Sequence, residues 1–230
     1  MGVELFNAEF LALLGSVILI NIVLSGDNAV VIALASRNLP PEQQKKAIFW
    51  GSFGAIAMRV ILTLIAVSLL KIPFIQLIGG LLLIWIAIKL LMEEKGDGHC
   101  DLDADCLMAA IKTIIFADLV MSIDNVIAVA GATRGNIPLL IFSLVISIPL
   151  IMWGSNLIMR LMERYPIIVT LGAALLGYTA GEMILADVYV AGRLHNGLQF
   201  LHTAIPAITT LGVVAVGWML KKKQHDKASS

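Results

Sequence analysis

The stretch VLSGDNAVVIALA (residues 23–35) lies inside a long apolar run, yet it carries an aspartate, Asp27, where hydrocarbon is expected on every side. It also has a copy further along the chain. LSGDNAVVIALASR (residues 24–37) matches MSIDNVIAVAGATR (residues 121–134) at an offset of 97, which sets Ser25 on Ser122, Asp27 on Asp124 and Asn28 on Asn125. The match reaches upstream to Asn21 and Asp118. It resumes at an offset of 93, aligning Lys71 with Arg164, Pro73 with Pro166, Gly79 with Gly172, Trp85 with Tyr178 and Lys89 with Glu182. Self-similarity of this kind marks a duplicated unit.

Composition says what the unit is made of. The 230 residues are 59% hydrophobic and 14% charged, far more apolar than a soluble domain. A membrane span needs roughly 20 mostly apolar residues, and seven stretches qualify: 9–36, 46–70, 74–92, 107–133, 138–160, 166–186 and 204–220. Backbone groups in lipid must bond within their own segment, and these runs are too long and too continuously apolar for barrel strands. The expected fold class is therefore all-α, a polytopic membrane protein of seven transmembrane helices.

Three spans per unit is an odd number, so the second copy inserts upside down. The chain reads as two inverted three-helix repeats (1–92 and 107–187) in one membrane domain. An acidic cytoplasmic loop (93–106) joins them, and a seventh helix (204–220) and a basic cytoplasmic tail (221–230) follow. Secondary transporters of this architecture place their substrate site near the midplane, where interrupted helices of the two halves face each other.

Lys and Arg set the orientation. With the N-terminus outside, the inside collects Arg37, Lys45, Lys46, Lys95, Lys112, Arg160, Arg164, Lys221, Lys222, Lys223 and Lys227; the outside receives Lys71, Arg134 and Arg193. Arg59 and Lys89 fall within spans. The first segment opens with Glu4 and Glu9 and has no basic leader, so a cleaved signal peptide is not expected. Zero formal net charge and the absence of a basic face exclude a nucleic-acid partner. Cys100 and Cys106 share the inner loop and are expected as free thiols.

An aspartate at the middle of a span costs about 2.5–3.5 kcal/mol. Asp27, Asp118 and Asp124 together cost on the order of 8–10 kcal/mol, comparable with the whole stability of a domain. Protonation, a cation partner or a bound metal must compensate. Asn28, Asn125, Ser25 and Ser122 add neutral oxygen groups, while no His or Cys occurs in either motif. Such a set suits hard or borderline divalent ions, Mn²⁺, Mg²⁺ or Ca²⁺, rather than Cu⁺ or Zn²⁺. Asp118 and Asp124 are six residues apart and do not share a helix face. Gly26 in the first copy then suggests that both helices are interrupted at the motifs.

The competing reading is structural: Asp and Asn as interhelical glue, with Asp27 neutralising Arg59. A symmetric pair with Asp118 beside it favours an ion site, in which Arg59 is the counter-ion of the empty carboxylates. Glu182 fits a gate, a proton site or the outer interface equally well. Lys89 is expected to snorkel. Gly51 with Ala55, and Gly177 with Gly181, have the spacing of close helix contacts. The loop EEKGDGHCDLDADC (residues 93–106) lacks the glycine and glutamate register of an EF-hand and reads as a solvated acidic linker, with His99 in it; His195 and His202 read as surface histidines.

SGDNAVVIALA and FADLVMSIDNVIAVAGAT (residues 116–133) resemble the TerC family of integral membrane proteins, in its short YjbE-like branch, and the resemblance runs over both repeats. It implies a bacterial cytoplasmic-membrane protein linked to Mn²⁺ export, with the metal as transported substrate and no permanently bound cofactor. It also implies intramembrane metal positions at Asp27, Asn28, Asp118, Asp124 and Asn125. Asn21, standing opposite Asp118, makes the site asymmetric.

The expected function is export of a divalent cation, Mn²⁺ first, by exchange with protons that carboxylates take up once the ion has left. The partners are the ion and the bilayer, and a homo-oligomer is compatible with all of this. The alternative is a non-transporting membrane subunit that scaffolds a secretion, metalation or stress-resistance complex. No nucleophile with a base and no cofactor loop points to an enzyme.

Overall fold

The computed structural model describes residues 15–19, 26–69, 72–92, 104–132, 137–194 and 200–228. Beyond a helical stretch at 15–19, its elements are α1 (Gly26–Ser36), α2 (Pro41–Leu69), α3 (Ile75–Met92), α4 (Ala104–Ala132), α5 (Ile137–Arg164), α6 (Ile167–Ala186), α7 (Val188–Leu194) and α8 (Leu201–Ala228). Helix is the only regular structure among the described residues. Six of these helices contain spans long and apolar enough to cross a membrane: Pro41–Ile65, Ile75–Met92, Ala104–Ile123, Ile141–Arg164, Ile167–Ala186 and Leu201–Lys222. They correspond to six of the seven expected spans. The seventh, residues 9–36, is described only at 15–19 and 26–36, and the 11 residues of α1 alone cover about half of a 30 Å hydrocarbon core.

Two expectations fail. Helix α4 runs unbroken through Ser122 and Asn125, so the second motif is not interrupted. The reason lies in the sequence, because the position of Gly26 is taken by Ile123 in the second copy. An unbroken helix keeps every backbone bond within the segment, and the second copy has no glycine to ease a break. The first motif lies partly in 20–25, outside the described residues, and α1 starts at Gly26. Cys106 is disulfide-bonded rather than a free thiol. It is half-buried in the first turn of α4, where it packs with Leu39, Ala47 and Ala110. The chain's one other cysteine, Cys100, is outside the described residues.

The core forms where α1, α3, α4 and α6 meet, around Leu34, Leu83, Ile86, Leu90, Ile114, Met121, Leu176 and Met183, all nearly solvent-free. Helix α2 packs on α4, α5 on α1, α3 on α6, and α8 on α6 and α3. Small residues permit the close crossings. Gly51 faces Ile114, Gly177 faces the backbone of Thr209 and Thr210, and a Cβ on Gly181 would lie 2.5 Å from Pro206 Cα. The two small-residue pairs are thus packing sites, as their spacing suggests. Large apolar side chains such as Leu64, Trp153, Leu171 and Leu211 point outward, as a lipid-facing surface requires.

The two ends of the bundle differ. One gathers the α1–α2 corner, the last turn of α3 with Leu91 against Gly217 of α8, and the end of α5, where Met162 meets Leu34 across Gly172. Arg37, Lys45, Lys46, Lys89, Arg160, Arg164, Lys221 and Lys222 belong to this end by their place on the helices. Lys89 lies 5.8 Å from the Trp85 ring, Arg164 5.7 Å from Tyr165 and Lys222 5.9 Å from Trp218. Cations beside exposed rings are what a headgroup boundary selects, and the exposed Lys89 near the end of α3 stands where a snorkelling side chain would.

Helix α3 is fixed at both ends by charge of the sign its dipole favours. At the first end, Arg37 Nη2 donates to the carbonyl of Leu90 at 3.0 Å. At the other, the buried carboxylate of Asp187 accepts from the Leu77 N–H at 3.3 Å and from the Tyr189 N–H at 3.0 Å. Phe74, just before α3, has φ 62° and stacks on Tyr189 at 4.6 Å, so the same corner holds a left-handed residue in place. Asp187→Ala is expected to cost about 1 kcal/mol, the usual value of a lost helix cap. Thermal melting in detergent reads it, and an unchanged melting point would show that the cap contributes nothing.

Candidate cation site

The buried polar centre of the molecule is built by α1, α2 and α4. Arg59, in the middle of α2, is 3% exposed, and Asp118 and Ser122, one turn apart on α4, are 7% and 0% exposed. Arg59 Nη2 donates to Asp118 Oδ1 at 2.5 Å and its Nε donates to Ser122 Oγ at 2.9 Å. The Ser122 hydroxyl in turn donates to Asp118 Oδ2 at 3.2 Å. Three side chains thus close a ring, in which both carboxylate oxygens and two guanidinium nitrogens are engaged. The four-residue spacing of Asp118 and Ser122 makes this geometry available on an unbroken helix.

Asp27, the second residue of α1, is half-buried at the edge of this ring. It lies close enough to Arg59 and Asp118 to interact electrostatically with both. Its Oδ1 accepts from the Asn28 N–H at 2.9 Å, as an acidic group in the first turn of a helix does. Asn28 is buried, and Asn125, half-buried, lies seven residues beyond Asp118 along α4. The structure therefore brings Asp27, Arg59, Asp118 and Ser122 together.

Other candidates fall elsewhere. The backbone of Asp124 belongs to α4, but its side chain, like residues Asn21 and Ser25, is outside the described set. Glu182 is exposed on the outer side of α6, on a stripe with Leu175 and Tyr178, whose hydroxyl hydrogen-bonds to it one turn away. It is not part of the buried centre. Among the described residues no three His, Cys, Asp or Glu side chains gather into a metal cage. The centre instead pairs the Asp118 carboxylate with the Arg59 guanidinium, with Asp27 in electrostatic range of both.

Spacing alone identified Asp27, Asp118 and Arg59 but not the partnership. Glue between Asp27 and Arg59 was the expected ion pair, whereas Asp118 makes the direct bond. Ser122 as the second acceptor was readable from its position one turn after Asp118. The capping roles of Asp187 and Arg37 carried no signal beyond their places at helix ends.

The chain matches the integral membrane protein TerC family over residues 6–225. It belongs to the TerC family. It is 48% identical over 179 residues to the uncharacterized membrane protein YjbE of Bacillus subtilis, covering 78% of this chain and 82% of that one. It is 28% identical over 217 residues to the inner membrane protein YgdQ of Escherichia coli K12, covering 86% and 91% of the two chains. A third relative, the uncharacterized membrane protein YceF of Bacillus subtilis, is 28% identical over 180 residues, 74% of this chain and 70% of its own. No solved structure matches. This TerC chain is thus an integral membrane protein, and the match covers every helix that forms the buried centre.

Proposed function

We propose that this TerC protein is a carrier, not an enzyme, that exports a divalent metal cation, with Mn²⁺ the best-fitting substrate. The observation that supports it is that Asp27, half-buried in the first motif, lies within electrostatic range of Asp118, buried in the second unit. Two carboxylates from different helices form the start of a hard oxygen set, and the amides of Asn28 and Asn125 are assigned to it by their places in the two motifs. Asp124 is assigned to the same set by its equivalence with Asp27.

The packing pattern supports two inverted halves, with residues 93–106 joining them and 204–220 appended. Exchanging α1 with α4 and α2 with α5 turns the α2–α4 contact into the α5–α1 contact and leaves α3 on α6. Rocking one unit against the other would open the site to alternate sides. The cationic, ring-lined end of the bundle is the cytoplasmic one, which puts the C-terminus inside and the N-terminus outside a bacterial inner membrane. Protons are the proposed counter-substrate, because a carboxylate that releases a metal ion can take up a proton.

Inverted membrane vesicles test the reading. Mn²⁺ accumulation is expected to fall at least about tenfold in Asp27→Asn, Asp118→Asn and Asp124→Asn, the scale seen when even a partner of a metal ligand is lost. Accumulation at the native rate in all three would sink the site. The ring of Arg59, Asp118 and Ser122 also has the form of interhelical glue, which favours a scaffolding subunit as the second reading. That reading predicts no metal flux from purified protein in liposomes.

A further inference from the structure

A carboxylate offered to a metal ion is already holding a cation. We infer that the Arg59 guanidinium is the site's built-in substitute for the cargo: it occupies Asp118 when the carrier is empty and is displaced when a divalent ion binds. The inference rests on the exporter reading above and assigns the step that returns the empty carrier.

The ring supplies the reasons. One oxygen of Asp118 is held by Arg59 and the other by the Ser122 hydroxyl, which itself accepts from Arg59. A dication placed on Asp118 would sit against a guanidinium, and like charges at that range repel strongly in a dry interior. A guanidinium cannot leave by losing its proton, so it leaves by moving. While it is seated, Asp27 and Asp118 together show a net single negative charge; once it is withdrawn they show two, the complement of a divalent ion. Monovalent ions gain less from the exchange, which selects against them.

The guanidinium also joins the two units. Arg59 stands on α2 and its acceptors on α4, so seating it clamps the halves and displacing it frees them. Cargo and Arg59 compete for one carboxylate, and each favours a different arrangement of the helices. A ligand shifts such an equilibrium only through its differential affinity for the two states, and this competition provides one. The empty site returns across the membrane with Asp118 already neutralised by Arg59.

Proteoliposomes of the full chain separate net Mn²⁺ flux from exchange of Mn²⁺ for labelled Mn²⁺. Exchange needs only the loaded carrier, whereas net flux needs the empty one to return. In Arg59→Gln, net flux is expected to fall about tenfold relative to exchange, and Mn²⁺, followed by the signal of the free ion in paramagnetic resonance, is expected to bind about tenfold more tightly. Arg59→Lys keeps a cation but loses the fork. It is expected to return net flux and to bind Mn²⁺ a few-fold more tightly than the native chain. Net flux and exchange falling in step, or unchanged affinity in both variants, would overturn the inference. If Arg59→Gln does not fold, Arg59→Lys decides by the same affinity criterion. A native chain that moves no Mn²⁺ in either mode refutes the exporter reading instead, and the affinity comparison still judges the competition at Asp118.

Discussion

Asp118→Leu is expected to destabilise the protein by about 3–5 kcal/mol, because it leaves the Arg59 guanidinium buried without its carboxylate. For a chain of this size that is a fall in melting point of about 6–20 °C. The opposite deletion, Arg59→Met, is expected to cost less. A carboxylate left alone can be neutralised by a proton, whereas a guanidinium cannot. The double variant Arg59→Met/Asp118→Leu is expected to regain most of the loss, since well-packed apolar side chains replace a buried ion pair at little net cost. The cycle separates two accounts of α2 and α4. If the double variant melts as low as Asp118→Leu, the helices depend on the ion pair for their contact. Recovery instead means that Gly51 and Gly54 against Ile114 and Ile115 hold them together and that the ion pair is kept for function. Thermal melting of each purified variant in one detergent, followed by tryptophan fluorescence, distinguishes them.

The long helices were legible because lipid leaves a backbone few choices. Twenty apolar residues that must satisfy their own hydrogen bonds become a helix wherever they occur. What local pattern lacked was the environment of each polar residue. The break expected in α4 came from extending to the second motif a feature that belongs to Gly26 in the first, where Ile123 stands in its copy. The ring of Arg59, Asp118 and Ser122 spans 59 and 63 residues of sequence, so no local rule could choose Asp118 over Asp27 as the direct partner. Mid-span position alone flagged all three charges, because an unpaired charge there is too costly to keep. The ends of α3 show the same division: the helix is written in its own residues, but Arg37 and Asp187 come from 53 and 110 residues away.

The crossing of α3 and α6 gives the second large effect. In a helix, Gly→Ala ordinarily stabilises by about 0.5–1 kcal/mol through backbone entropy. At Gly79 an added Cβ would meet the Met183 methyl at 2.8 Å and Val120 Cγ1 at 3.4 Å, and the first is the free end of a flexible chain. Met183 can turn aside, so Gly79→Ala is expected to stay within about 1 kcal/mol of the native protein. At Gly80 the same Cβ would lie 2.7 Å from the Ala180 carbonyl oxygen and 2.7 Å from Ile184 Cγ1. A carbonyl within an intact helix cannot turn aside, so the two helix axes must separate. Gly80→Ala is expected to cost about 1–3 kcal/mol despite the entropy gain, and Gly80→Leu at least about 3 kcal/mol. Separation also moves α3 away from Leu176 and Met183, which are fully buried in the core beneath it. Melting measurements on the adjacent pair decide the point, since the two sites share one helix and one chemistry and differ in what stands opposite. Equal melting points for Gly79→Ala and Gly80→Ala would mean that backbone contact does not hold α3 on α6.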